Sequence, residues 1–271
     1  MKATLFTFLF LCICFTGLSQ EVVSREVVFG KRLFAFPHKA DHFTTDQLGN
    51  IFLWNDNIIW MYSNKGDSLA AFNSRKYGSI SHVDATNPYE ILVFFADYNL
   101  VLFLDNYLSD NGKDIDLQEL GYDQISNACK SRANGIWIYD VIQQRAIHLN
   151  DNYVKDKQTL NLSQWFNERI TPNLLLEFNN QLFISSDEAL FVFDHFGTFK
   201  HKIPIKNITT FQIVNEEIRY LKDQNYCSYI QKSFDESCRE IPIKSLKNLR
   251  VEKTGLYVFT SEKLSVFSTN K

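Results

Sequence analysis

Short apolar runs alternate with polar turns through most of the chain. Six of these runs are strongly β-prone, and each begins at a turn that contains Asn, Gly or Glu. They span residues 49–54, 89–94, 134–139, 180–184, 216–221 and 254–259. Almost no stretch places apolar residues at helical spacing for three turns, so the pattern predicts strands. The segment 162–170, with Trp165 and Phe166, is the exception and predicts a single helical turn.

The six runs recur at a regular interval. The first apolar residue of each run serves as its landmark, and successive landmarks are 40, 45, 46, 36 and 38 residues apart. The landmarks are Ile51, Ile91, Ile136, Leu182, Ile218 and Leu256. A period near forty is the spacing of propeller blades.

Each landmark run is followed by a short turn and a second apolar run, which predicts a hairpin. These second runs span 58–62, 100–104, 146–149, 189–193, 226–230 and 264–267. A weaker fourth strand follows, and in two units it reads 203–205 and 241–243 with a central proline, Pro204 or Pro242. Proline is tolerated in a sheet where its missing N–H faces no partner, so we predict that these are outer edge strands.

The sixth unit has only three strands before the chain ends at Lys271. We predict that the N-terminal run 26–29, Glu-Val-Val-Phe, supplies the fourth strand and closes a ring. In repeat length and strand order, residues 22–271 resemble six-bladed β-propellers in general, with the blade count defined to within one. The resemblance implies an all-β fold. A two-sheet sandwich or a long meander also produces many short strands, but the regular spacing disfavours both.

The first nineteen residues form a separate unit. Lys2 gives a positive start, residues 5–15 form an apolar run of 11, and Gly17 and Ser19 are small. This pattern predicts a signal peptide, 1–19, cut before Gln20, because the apolar run is too short to cross a bilayer. We therefore expect an exported protein, periplasmic or extracellular, with 20–271 as a single domain. We expect that domain to be water-soluble, with association to a membrane protein or the outer membrane left open.

The net charge limits the class of partner, and the cysteine content bears on disulfide bonding. The formal charge of −3 and the pI near 6.1 disfavour nucleic acid as a partner. Three cysteines remain after residue 19. Cys227 and Cys238 flank a predicted turn, where an antiparallel register would place them in disulfide reach. Two separately buried thiols are the alternative.

Six polar residues lie nine positions before the landmarks: His42, His82, Asn127, Asn173, Thr209 and Lys247. In a propeller these positions fall near the mouth of the central channel, where ligands usually bind. His42 and His82, on neighbouring blades, could grip a metal or a carboxylate. The alternatives are a polar recognition ring and a solvated mouth with no ligand.

No catalytic motif is present, and we predict no catalytic residue, no metal site and no cofactor. The acidic residues Asp46, Asp84 and Glu177 lie at different offsets from their landmarks, so they need not converge. Large aromatic residues recur on the middle strands, and we assign them to the core between blades. They are Phe52, Trp54, Trp60, Phe94, Phe95, Phe103, Trp137, Tyr139, Phe191, Phe193, Tyr257 and Phe259.

These observations favour a non-catalytic binding or scaffolding module whose partner is a protein or a component of the cell envelope. A propeller hydrolase or lyase with a metal in the central channel is the alternative.

Overall fold

The computed structural model describes residues 29–208 and 210–269. They form six four-stranded antiparallel sheets arranged in a ring, which is a six-bladed β-propeller. The predicted signal peptide 1–19 and Thr209 lie outside the described residues. Among those that are described, no helix is long and apolar enough to cross a bilayer.

The strands follow one another blade by blade. The first strand is β1 (Arg32–Pro37). Blade one contains β2 (His42–Thr45), β3 (Ile51–Trp54), β4 (Ile58–Tyr62) and β5 (Ser68–Asn73). Blade two contains β6 (His82–Asp84), β7 (Ile91–Phe95), β8 (Leu100–Leu104) and β9 (Asp110–Asp116). Blade three contains β10 (Ile125–Lys130), β11 (Ile136–Asp140), β12 (Arg145–Leu149) and β13 (Lys155–Gln158).

The second half of the ring repeats the order. Blade four contains β14 (Pro172–Phe178), β15 (Gln181–Ser186), β16 (Leu190–Asp194) and β17 (Phe199–Ile203). Blade five contains β18 (Phe211–Val214), β19 (Glu217–Lys222), β20 (Asn225–Ile230) and β21 (Asp235–Glu240). Blade six contains β22 (Leu246–Glu252), β23 (Gly255–Thr260) and β24 (Lys263–Phe267). The helix α1 (Leu162–Phe166) lies between blades three and four, where the sequence pattern predicts a helical turn.

All six landmark residues lie in the second strand of their blade, as the sequence pattern predicts. Five of these strands are almost wholly buried because their alternate residues pack into different interfaces, whereas β19 alternates buried residues with partly exposed ones. In β3, Phe52 and Trp54 pack toward blade two, whereas Ile51 and Leu53 pack toward blade six. The core is therefore a set of six apolar clusters, one between each pair of neighbouring blades. The aromatic residues assigned to the core are all buried except Trp60, which is partly buried.

The last blade takes its outer strand from the N-terminal part of the chain. β1 pairs antiparallel with β24, from Arg32 opposite Phe267 to Pro37 opposite Lys263. The strand that pairs here thus begins after the predicted run 26–29, of which residues 26–28 lie outside the described part. An outer strand packs on the sheet through one face only, and in β1 that face carries the partly buried Phe34 and Phe36, whose ring centroids are 6.3 Å apart.

The proline-centred segments 203–205 and 241–243 do not form the outer strands of blades four and five. Those strands are β17 and β21, and Pro204 and Pro242 follow their last residues. Each outer strand therefore ends before its proline, which has no N–H to continue the pairing, and the proline does not lie within the strand as predicted.

Two further contacts tie the chain together. Gly49, at a φ of +82°, adopts a left-handed conformation, and a Cβ there would lie 2.4 Å from Thr254 Oγ1. Its carbonyl accepts a hydrogen bond from the Tyr257 hydroxyl at 3.1 Å, which joins blade one to blade six. In blade five, Cys227 and Cys238 lie opposite each other on β20 and β21 and form a disulfide. Cys129 is buried and forms no disulfide with the other described cysteines.

Candidate functional site in the central channel

The inner strands of the six blades surround a cavity of about 1150 Å³. Each inner strand begins at one face of the ring, which we call the channel mouth. Four of the residues predicted for this position line the cavity: His42, His82, Asn173 and Lys247. Thr209 is not described, but its neighbour Thr210 also lines the cavity.

The two asparagines serve mainly to join blades. Asn127 lies against Ser126 and the backbone of Pro172 and Asn173 in blade four, and it is not part of the cavity lining. The Asn173 amide donates hydrogen bonds to Asp187 at 2.8 Å and to the Ile208 carbonyl at 3.2 Å. These hydrogen bonds occupy the side-chain N–H groups that the two asparagines would otherwise offer to a ligand.

Glu177 is a buried acid that joins blades three and four. One carboxylate oxygen accepts hydrogen bonds from the Ser131 hydroxyl and the Trp137 indole N–H, both at 2.7 Å. Burial of a carboxylate is tolerated when such donors compensate the lost hydration. These two hydrogen bonds make the Glu177 carboxylate part of the contact between blades three and four.

Glu252 has the same role where blades five, six and one meet. Its carboxylate accepts from Thr45 at 2.5 Å and from Gln212 at 2.7 Å, and the Arg250 guanidinium Nε donates to Thr45 at 2.8 Å. Burial raises the pKa of Glu252, and the Arg250 charge opposes that shift. Burial also lowers the pKa of Arg250. The terminal guanidinium nitrogens of Arg250 have no hydrogen-bond partner within 29–208 or 210–269.

The remaining predicted acids are held by backbone groups. Asp84 accepts from the N–H groups of Thr86 at 2.9 Å and Lys130 at 2.8 Å, and so links blades two and three. Asp46 accepts from Leu48 and Asn50 within its own turn. Both line the cavity together with Glu177, but no three-residue cluster at metal-ligand distance forms there among the described residues. The cluster that does form, Cys227, Glu236 and Cys238, contains the disulfide.

His42, Trp54 and His82 form a different kind of arrangement. His42 lies opposite Trp54 on neighbouring strands and stacks on its indole, with ring centroids 5.3 Å apart. His82, on the next blade, meets the same indole edge-on at 6.5 Å. In the described part of the chain neither imidazole has a hydrogen-bond partner.

Trp54 itself is only 4% exposed and lines the cavity, and its buried indole N–H has no hydrogen-bond partner among residues 29–208 and 210–269. Leaving such a donor unpaired costs about 1–3 kcal/mol. The indole of Trp137, by contrast, is paired with Glu177. Because this indole nitrogen has less than 1 Å² of accessible surface, the channel does not reach it in this structure.

The electrostatic surroundings keep both imidazoles neutral to lower pH than usual. Burial lowers the pKa of His42; Asp41 raises it and Lys247 lowers it. Burial also lowers the pKa of His82, which Asp84 raises and which His42 and Arg250 lower further. Lys247 forms an exposed ion pair with Asp41 at 3.5 Å. Asp41, His42 and Lys247 lie where β2 and β22 begin at the channel mouth, whereas Arg250 lies deeper in the channel, against Thr45 at the end of β2.

The sequence pattern predicted that the two histidines and Lys247 lie at the channel mouth, and all three line the cavity, but it placed Trp54 only in the core and did not single out Arg250. The available signal for Arg250 was its position within an inner strand, six residues before a landmark, where an uncompensated charge is costly. The sequence could not predict that the Trp54 indole N–H is unpaired, because the hydrogen-bond partner of an indole depends on residues that are distant in sequence.

No family model matches the chain, and no characterised protein matches it in sequence. The fold does match solved structures. The WD40 domain of Pan2 from Neurospora crassa is 12% identical at a TM-score of 0.60, covering 90% of this chain and 96% of that one. Virginiamycin B lyase from Staphylococcus aureus is 9% identical at 0.60, covering 88% and 99%.

BamB from Moraxella catarrhalis is 10% identical at a TM-score of 0.53, covering 89% of this chain and 98% of that one. At this level of identity the likeness shows a shared propeller fold. It transfers no activity, because unrelated functions occur on one fold.

Proposed function

We propose that this chain is an exported, non-catalytic binding module whose protein or cell-envelope partner engages the channel mouth. The observation that carries the proposal is the cavity of about 1150 Å³. Its walls are held rigid by hydrogen bonds between blades, through Glu177, Glu252 and Asp84. A rigid concave surface with a few available polar groups is the usual form of a binding site.

The state of the acidic groups supports a binding role over a catalytic one. A general acid or base must reach the reacting group of a substrate. Glu177 and Glu252 already accept two side-chain hydrogen bonds each, and Asp84 accepts two from the backbone. Their use in catalysis would break hydrogen bonds that join neighbouring blades. The likeness to WD40 domains and to BamB agrees with an interaction role, although it rests on fold alone.

Site-specific photocrosslinking in the native cell tests the partner-binding part. A photoreactive residue is placed at Lys247, on the channel mouth, or at Lys202, on the outer strand of blade four. The two side chains are matched in type and exposure, at 38% and 35%. We expect a discrete adduct from position 247 that is absent from position 202. Adducts from position 202 alone, or none from 247, would contradict the proposal.

The export part has a separate test. We expect the protein in the periplasmic or extracellular fraction, with an N-terminus at Gln20 by mass spectrometry. A cytosolic protein that retains residues 1–19 would show that the export part is wrong while leaving the binding part intact.

A lyase or hydrolase with a metal in the channel is the second candidate. Two observations favour it: the histidines His42 and His82 flank one cavity, and the fold is similar to that of virginiamycin B lyases. This candidate predicts stoichiometric binding of a divalent metal such as Zn²⁺ or Mn²⁺, measured by calorimetry. It also predicts loss of that binding in H42Q and H82Q, whereas the binding module requires neither result.

A further inference from the structure

The disulfide in blade five joins a buried cysteine to an exposed one. Cys227 is fully buried on β20, in the apolar cluster between blades four and five. Cys238 lies directly opposite it on β21, the outer strand of the blade, whose six residues are all exposed. In its four-stranded sheet, β21 is the last strand and pairs with β20. The bridge therefore joins a residue at the edge of the sheet to a residue in the core.

Access to a disulfide depends on direction. A thiolate attacks one sulfur from the side opposite the other sulfur, and a mixed disulfide forms. Because Cys227 and Cys238 face each other across two strands, the path to Cys238 comes from beyond β21, where the sheet ends. The path to Cys227 comes from β19, where the buried Tyr220 lies opposite Cys227. The geometry therefore leaves Cys238 open to a thiol and shields Cys227.

We infer that Cys238 is a modification site at which a small thiol adds to the folded protein. The thiolate sulfur forms a bond to Cys238 Sγ while the bond between the Sγ atoms of Cys227 and Cys238 breaks. The electron pair of that bond remains on Cys227 Sγ, which takes up a proton. One disulfide is broken and one is formed, so the thiol is the only co-reactant. The product has a mixed disulfide on the outer strand and no covalent link from β21 to β20. This site is independent of the proposed binding function.

Glu236 determines which thiols react fastest. Its Oε1 lies 3.9 Å from Cys238 Sγ and accepts a hydrogen bond from the Tyr220 hydroxyl, which holds the carboxylate beside the sulfur. A carboxylate at this distance repels an approaching thiolate, and it repels a thiolate that has a second negative charge more strongly. The other charged residues of β21 are two acids and one arginine, so the strand as a whole is acidic. The reactant class is therefore a neutral or cationic thiol rather than an anionic one.

Peptide mapping identifies the sulfur that is attacked. The oxidised protein is treated briefly with 2-mercaptoethanol without denaturant, freed thiols are blocked with N-ethylmaleimide, and the chain is cut with trypsin. Cleavage after Lys232 places the two cysteines of the bridge on different peptides. We expect the mercaptoethanol adduct on Cys238 and the maleimide on Cys227, with a preference of at least about tenfold over the reverse pattern. In urea, where the chain is unfolded, the two patterns should be equally frequent.

A conservative variant tests the role of Glu236. Glu236→Gln keeps an acceptor for the Tyr220 hydroxyl but removes the charge. It should speed the addition of the anionic thiol 2-mercaptoethanesulfonate about threefold, and that of 2-mercaptoethanol less. Glu188→Gln is the matched control, because it changes the net charge equally but removes an exposed ion pair in blade four. It should leave both rates unchanged.

Two results would overturn the modification site. One is equal amounts of adduct on Cys227 and Cys238 in the folded protein. The other is an adduct that forms only at urea concentrations that unfold the chain. Rates for Glu236→Gln that match those for Glu188→Gln would overturn the selection of thiols by charge. Because the reaction uses no partner, its outcome does not depend on whether position 247 captures one.

Discussion

The indole N–H of Trp137 donates to the carboxylate of Glu177 across the junction of blades three and four, at a distance of 2.7 Å. The two residues are forty positions apart in sequence, one blade repeat. Ser131 donates to the same oxygen, also at 2.7 Å. One buried acid therefore satisfies two buried donors and fixes the angle between neighbouring blades.

Glu177→Leu should destabilise the protein by about 2–4 kcal/mol, because it leaves two buried donors unpaired. Glu177→Gln keeps one carbonyl acceptor and should fall between Leu and wild type. Urea unfolding measures the difference. The control is Glu188→Gln, which removes an exposed ion pair to Lys206 and should change the free energy of unfolding by less than about 1 kcal/mol. A Leu variant as stable as wild type would contradict the role assigned to Glu177.

Removal of β1 should destabilise the ring. A chain that begins at His38 loses the strand paired with β24 and exposes that edge to water and to other molecules. We expect aggregation and a lower thermal midpoint, at about 2–4 °C for each kcal/mol lost. A chain that begins at Phe29 keeps β1 and is the matched control. Equal midpoints for the two chains would show that closure through β1 is dispensable.

The disulfide in blade five should contribute to stability. Because a bridge restricts the unfolded chain, one between residues separated by 11 positions contributes roughly 2–3 kcal/mol through loop entropy. Cys238→Ser should lose that amount under oxidising conditions and become insensitive to reductant. Thiol titration of the unfolded chain from Gln20 onward should find one free thiol before reduction, from Cys129, and three after it. Three thiols before reduction would contradict the bridge.

Stability should fall as the pH drops below the ordinary histidine pKa of about 6.5. Burial is the main cause that lowers the pKa of His38, His42, His82 and His201 in the folded state. On acidification the unfolded chain therefore takes up protons first, and the free energy of unfolding decreases until the folded-state pKa values are reached. Urea midpoints at pH 7.5 and 5.5 measure the effect.

H42Q/H82Q is the control for this pH effect and should reduce the dependence, while His38 and His201 retain their share of it. Asp46 and Glu252 act in the opposite sense, because burial raises their pKa. Their contribution is complete below the unfolded-state pKa of about 4 and is lost as the pH rises through the folded value. The decrease in the free energy of unfolding that the histidines cause is therefore clearest in the upper part of the interval from pH 7.5 to 5.5, furthest from the unfolded-state pKa of the two acids. A rise in stability between pH 7.5 and 5.5 would contradict it.

The repeat is readable from the sequence because five of the six second strands are buried on both faces. In β3 the run Ile51–Trp54 serves two interfaces at once, so every position must be apolar. Such a run stands out in any sequence. The outer strands need one buried face and leave a weaker pattern. For that reason the sequence predicts the closing strand too early, and it predicts Pro204 and Pro242 inside strands that end before them.

The sequence by itself determined the order of strands within each blade and predicted six blades to within one, because these depend on local patterning and turns. It also predicted the turn between Cys227 and Cys238, but it left open whether the two thiols pair. Only the tertiary structure decided which indole has a partner. Trp137 meets Glu177 and Trp54 meets two imidazoles because of how separate strands and blades dock. Contacts between residues a whole blade apart depend on that docking, and no local pattern records them.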